Sequence, residues 1–206
     1  MAGARIARRV LPGRVVLATG NAGKQRELTA LLGPLGFDLV LQTALGIESA
    51  EETGATFAAN ALLKARHAAR LARLPALADD SGIEVDALGG RPGVWSARYA
   101  GPDADDAANN EKLLAELAGV PLAQRTARYR CVIALVASAD DPAPLLAEGV
   151  WEGRIGEAPR GEGGFGYDPL FWPLAMNLTA AELPSAGKNA ISHRGGALAA
   201  LLAQLR

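Results

Sequence analysis

The stretch Arg14 to Lys24, "RVVLATGNAGK", continued by "QRELTALLGPL", decides how the chain begins to fold. "RVVLAT" has the apolar content of a buried strand. A turn of small residues follows, and then Leu28, Leu31, Leu32 and Leu35 recur at helical spacing. A strand, a glycine turn and a helix in succession leave a helix N-terminus beside the turn, where backbone N–H groups and a partial positive charge attract phosphate oxygens. Lys24 adds a full charge. The turn is only half of a nucleotide triphosphate loop, because Ala18 stands where that pattern needs glycine and Gln25 where it needs a hydroxyl to ligate Mg²⁺. Phosphate binding is therefore expected here, with the metal ligands elsewhere. The plainer alternative is an ordinary turn with a solvated lysine.

Composition narrows the rest. The 206 residues, half of them hydrophobic, suffice for one substantial core. A net charge of −1 gives no general attraction to nucleic acid or anionic membrane, so a polyanionic ligand would be small and locally recognised. Cys131 is the only cysteine and sits in the apolar run "CVIALVA", as a small buried side chain suited to a reducing cytosol. No apolar span of membrane-crossing length occurs. Residues 1–13 are basic without an apolar centre and read as a disordered extension, leaving residues 14–206 as a single domain. Only four of the 21 basic residues are Lys, at 24, 64, 112 and 188, and a lysine kept against an arginine bias suggests a need for a compact point charge; Lys24 and Lys188 both read as lying in glycine-containing loops.

Along the chain, "FDLVLQT" reads as a second strand, and Thr56 caps a long Ala-rich helix reaching about Leu74. On that helix Asn60, Lys64 and His67 form one polar stripe at i, i+4 and i+7, the pattern of a solvated face. "ALADDSGIEVDALGG" reads as strand, acidic turn and strand, and "DADDAANNEKLLAELAG" as a helix closed by Gly119. "RTARYRCVIALVAS" and "APLLAEGVWEGRIGEA" are long strands around the hairpin signal "ADDP". At the C-terminus Ser192 caps a helix carrying Leu198, Leu201, Leu202 and Leu205. The architecture expected is α/β, a mixed β-sheet with flanking helices.

Two acidic pairs can supply a cation site: Glu51-Glu52 in a polar connection and Asp79-Asp80 at the turn. Adjacent carboxylates repel unless a cation neutralises them, and Mg²⁺ typically takes one or two carboxylates plus waters and substrate phosphates. "GGFGYDP" offers aromatic faces on which a purine can stack, or else a tight turn that buries Phe165 and Tyr167. "KNAISHRGG" gathers the donors Lys188, His193 and Arg194 around a helix start, able to read base carbonyls or simply to end a helix in solvent.

Taken together and in order, "LATGNAGKQREL", "SAEETGATFAANALLKA", "ADDSGIEVDALGGRPGVWSARYAG", "GGFGYDPLF" and "NAISHRG" resemble the inosine triphosphate pyrophosphatase family, the Ham1-like enzymes, over residues 14–206. The resemblance implies an elongated α/β fold of the Ham1/Maf type. It implies Mg²⁺-dependent hydrolysis of the deaminated purine nucleoside triphosphates ITP, dITP and XTP to monophosphate and pyrophosphate, in a homodimer, which the reading of Cys131 would place in the cytoplasm. Carried over by residue, Thr19, Gly20, Asn21, Ala22, Gly23 and Lys24 match the triphosphate loop, and Lys64 a second phosphate-binding lysine. Glu51 and Asp80 match the metal-site acids, Asp80 also the general base, and Ser81 a substrate contact. Phe165, Gly166, Tyr167 and Asp168 match the base and sugar segment, with Tyr167 where some members have Trp. Lys188, His193 and Arg194 match the base-recognition group. The rivals are a pyrophosphatase for another modified base and a nucleotide sensor without turnover; Glu51, Asp80 and the two lysines favour an enzyme.

Overall fold

A computed structural model describes residues 13–205. The extension expected at residues 1–13 lies outside them except for Gly13. Six strands form one mixed sheet in the order β2-β1-β3-β4-β5-β6. β1 (Arg14–Leu17) pairs in parallel with β2 (Asp38–Leu41) and with β3 (Ala76–Val85). β4 (Thr126–Val136), β5 (Leu145–Ile155) and the short β6 (Phe171–Pro173) continue antiparallel from β3. The β4–β5 hairpin is closed by Asp141, whose carboxylate accepts from the backbone N–H of Ala137 and Ala143.

The helices cover both faces because β1 is apolar on both. Val15 and Leu17 face α1 (Ala22–Leu32) and α5 (His193–Leu205), burying Leu28, Leu32, Leu198 and Leu201. Val16 and Ala18 face α2 (Phe57–Ala72), where Ala61, Ala65 and Ala68 let the helix lie close against Ala76, Ala78 and Ala134. α3 (Asp106–Glu116) closes a separate core of Ile83, Tyr129, Trp151 and Phe171 farther along the long strands. α5 rests directly on β5: a side chain at Gly149 would run into the carbonyl of His193. Thr56 caps α2 and Ser192 caps α5, as their sequence positions suggest.

Three local expectations change. The helix from Ala22 stops at Leu32, because the chain turns through Gly33-Pro34-Leu35, and Leu35 is exposed. Lys188 lies not in a loop but on a short helix, α4 (Ser185–Ile191). The acidic turn at Asp79–Gly82 does not exist: β3 runs through it, paired without interruption from Ala76 opposite Val136 to Val85 opposite Ala127. Alternation along the strand sends the two carboxylates to opposite faces, and each meets a cation there, so the repulsion that suggested a turn is relieved.

Chain order then fixes where a ligand can enter. β1 leads through α1 to β2 on one side and β2 through α2 to β3 on the other, so the connections diverge at the carboxyl end of β1. Open α/β sheets bind ligands at such a switch point. β1 ends at Leu17, whereas β3 continues past its last partner there, Leu77, leaving the edge at Asp79–Gly82 facing the first turn.

Candidate functional site

A cavity of about 290 Å³ opens at that point. Asn21 and Lys24 from the first turn, Glu52, Asp80 and Ser81 line it, together with Tyr129, Phe165, Gly166, Tyr167, Asp168, Lys188, His193 and Arg194. The turn is pre-shaped: the Asn21 side chain accepts from the Lys24 N–H at 3.0 Å, and the Thr19 hydroxyl accepts from the Asn21 N–H at 3.2 Å. Asn21 is thus the N-cap of α1, and the helix N-terminus meets the cavity beside Lys24. Glycine is required at two places by close approach. A side chain at Gly20 would stand 2.9 Å from the Ser49 hydroxyl, and one at Gly23 would stand 2.6 Å from the Phe165 ring. Thr19, Gly20, Ala22 and Gly23 shape the turn from behind the lining; Asn21 and Lys24 reach the cavity.

Asp79, just behind the wall, organises the charges. Its Oδ2 lies 3.3 Å from Lys24 Nζ and accepts from Arg194 Nη2 at 3.0 Å and from the Ser81 hydroxyl at 3.1 Å. Burial pushes this carboxyl up, but Lys24, Arg194 and Lys64 outweigh it and hold Asp79 well below the usual carboxylate range. Asp79 is a fixed anion that aims two cations.

On the opposite face of β3, Lys64 Nζ bridges Asp80 Oδ1 at 2.8 Å and Glu52 Oε1 at 2.7 Å. Arg98 holds Glu52 from the other side, Nη1 to Oε2 at 3.0 Å and Nη2 to the backbone carbonyl at 3.3 Å. Glu51, the acid matched by sequence, is exposed and outside the cavity; Glu52 takes that place. Neighbouring residues in an extended loop point opposite ways, and the two cations select Glu52. Lys64 does not line the cavity but sits behind the acids. Burial pushes Asp80 above the ordinary carboxylate range, with Lys64 and Lys24 opposing only in part. For Glu52 burial also pushes upward, yet Lys64 and Arg98 win and lower it. Asp80 Oδ2 is buried without a partner, which suits a cation or a water-borne proton donor at that oxygen. Two carboxylates sharing one ammonium, with one oxygen unsatisfied, fit a small hard divalent cation.

The remaining lining forms a second group. Arg194, 1% exposed, donates from Nε and Nη2 to Asp79, from Nη2 to Ser81 and from Nη1 to Glu27. Lys188 donates to Glu27 Oε1 at 2.9 Å and also to Asp168, whose Oδ2 accepts from the Phe165 N–H at 2.9 Å. The half-buried Phe165 ring lies 5.1 Å from Lys188 Nζ and 5.8 Å from the Arg194 guanidinium carbon. His193 stacks on Tyr129 at 4.6 Å, and burial, then Arg194 and Lys188, push it well below the ordinary histidine range. It is therefore neutral near pH 7, and its Nδ1 is without a protein partner. Tyr167 is a core residue as well as a wall, with its hydroxyl donating to the Ser96 carbonyl at 2.8 Å. Gly166 is anchored by α3, its N–H donating to Asp106 and its carbonyl accepting from Asn110.

Sequence reasoning named both acidic pairs but gave the roles to Glu51 and Asp80, leaving Glu52 and Asp79 without one, and it missed Glu27, Arg98 and Tyr129. Glu27 was findable: it follows Lys24 by three positions on the same helix, hence on one face. The others come together only through strand pairing and packing.

The model of the Ham1 family matches residues 15–204. The chain is 60% identical over 193 residues to the dITP/XTP pyrophosphatase of Methylococcus capsulatus, covering 94% of this chain and 96% of that protein. To the dITP/XTP pyrophosphatase of Escherichia coli strain K12 it is 57% identical, covering 94% and 98%. Among solved structures, a HAM1 protein from Coxiella burnetii superposes with a TM-score of 0.85 at 49% identity, covering 93% of this chain and 98% of that one. The Ham1 protein of Staphylococcus aureus gives 0.81 at 37% identity, covering 93% and 97%. With one family model spanning nearly all the described residues, and with relatives this similar over nearly their full lengths, the chain belongs to the Ham1 family.

Proposed function

We propose that the protein hydrolyses deaminated purine nucleoside triphosphates, ITP, dITP and XTP, to the monophosphate and pyrophosphate. One observation carries the reading: a single cavity joins a lysine-bearing helix N-terminus and two cation-poised carboxylates to an aromatic wall backed by buried donors. The relatives' name, dITP/XTP pyrophosphatase, supports both the substrate class and cleavage between the α and β phosphates.

Lys24 and the N-terminus of α1 bind the triphosphate and offset charge on the departing pyrophosphate. Glu52 and Asp80 would hold Mg²⁺, which supplies polarisation of a phosphoryl oxygen and a lowered water pKa when bound. Asp80, with its free Oδ2, orients the attacking water or accepts its proton. Phe165 stacks on the base. Hypoxanthine and xanthine carry an acceptor oxygen at C6 where adenine carries an amino donor; a buried donor facing that amino group would be left unmatched, costing about 1–3 kcal/mol. Arg194 and Lys188 supply such donors, and neutral His193 a further polar edge.

The test is a panel of natural and deaminated nucleoside triphosphates assayed with Mg²⁺ for both phosphate products. Pyrophosphate from ITP and XTP, with ATP much slower, is expected; orthophosphate as first product would overturn the assignment. Phe165→Ala should weaken every purine substrate by about 1–3 kcal/mol, the scale of base stacking on an aromatic side chain. An unchanged KM across the panel would assign that ring to packing against Gly23 alone. A homodimer is part of the same proposal, to be checked by light scattering. No helix among the described residues is long and apolar enough to cross a membrane.

A further inference from the structure

The polar stripe of α2, expected to face solvent, does not. Asn60 is fully buried, and its Oδ1 accepts from the Gly54 N–H at 2.7 Å. One turn on, Lys64 binds Glu52; a further turn on, His67 Nε2 donates to the Glu48 carbonyl at 3.1 Å. The helix and the loop therefore run antiparallel, with Asn60, Lys64 and His67 meeting residues 54, 52 and 48 in turn. Residues 47–54 have no helix or strand of their own. Extended, the chain from Glu48 to Gly54 would cover about 20 Å. Its two anchors on α2 lie only about 10 Å apart along the helix. The loop is longer than the stretch of helix it spans, and it presents Glu52 to Lys64 and Arg98 beside Asp80 while Glu51 stays outside. The fit at the Asn60 end leaves no slack: a side chain at Gly54 would stand 2.6 Å from Asn60 Oδ1.

We infer that Asn60 and His67 are positioning residues, which set the shape of the loop and thereby the place of the Glu52 carboxylate at the divalent-cation site. This rests on the reading of Glu52 and Asp80 as the cation ligands. A loop without regular structure opens easily unless tethered, and groups that orient a metal ligand typically contribute 10–100-fold to metal affinity. His67 does not line the cavity, so its effect reaches the site only through the loop.

The test compares the full-length protein with Glu52→Gln, Asn60→Ala, His67→Ala and His67→Gln. Mn²⁺ affinity is measured by electron paramagnetic resonance without substrate, and amide hydrogen exchange is measured across residues 48–54. His67 is only half-buried, so its variants keep the fold even if Asn60→Ala does not. Expected for His67→Ala is a loss of Mn²⁺ affinity of about tenfold or more, with faster exchange confined to the loop. His67→Gln, which keeps a side-chain N–H donor, should restore both. Normal Mn²⁺ affinity in His67→Ala while Glu52→Gln binds poorly would overturn the positioning role alone. Normal affinity in Glu52→Gln would overturn the cation reading and the inference with it.

Discussion

Asp80→Asn is expected to lower kcat by at least about 10²-fold while leaving the melting temperature unchanged or higher. The first half follows from the position of Asp80, a carboxylate at the cavity wall with one oxygen given to Lys64 and the other unsatisfied. Losing a cation ligand or a base typically costs on the order of 10²–10⁴ in rate. The second half follows from burial, which pushes the Asp80 carboxyl upward and so makes its ionised form costly in the folded state. A neutral amide removes that cost, and Glu52 still partners Lys64. Loss of turnover without loss of stability marks a group kept for chemistry. Parallel kinetics and thermal melts decide the matter, and near-normal turnover would remove Asp80 from the mechanism.

Arg194→Ala is expected to do the opposite, costing stability first. The guanidinium ties β3, through Asp79 and Ser81, to α1, through Glu27. Truncating it strands the wholly buried Asp79 carboxylate with only Lys24 as its near cation, and breaking a buried ion pair on one side costs about 3–5 kcal/mol. In a domain of this size that corresponds to a fall in Tm of roughly 6–20 °C. Denaturant unfolding measures it, and a change below about 1 kcal/mol would show that Arg194 is not the structural tie the geometry implies. Where the variant stays folded, kcat/KM for ITP should fall while that for ATP holds level, compressing their ratio about tenfold. An equal loss for both substrates would assign Arg194 to phosphate binding or scaffolding. One side chain thus joins base selection to the alignment of Lys24, because Asp79 binds both cations.

The phosphate turn, the caps at Thr56 and Ser192 and the β4–β5 hairpin were legible in the sequence because each is decided by residues within a few positions of one another. Asn21 caps α1 three residues before the amide it satisfies, and Asp141 closes its hairpin across four. The family motifs also named most of the cavity wall, from Lys24 and Asp80 to Phe165 and Arg194. The sequence alone could not choose between Glu51 and Glu52, because that choice depends on Lys64 and Arg98, brought there by α2 and by the segment after β3. Nor could it tell that Asp79-Asp80 stays within a strand, since the cations that make two adjacent buried carboxylates tolerable come from other elements: Arg194, more than a hundred residues away, and Lys24, more than fifty away, for Asp79, and Lys64 on α2 for Asp80. The α2 stripe carried the same ambiguity: polar residues at helical spacing look alike whether they face water or a loop. Only the tertiary structure shows that this stripe faces the loop that carries Glu52, because charge neutralisation and hydrogen-bond satisfaction in the interior are properties of pairs far apart in the chain.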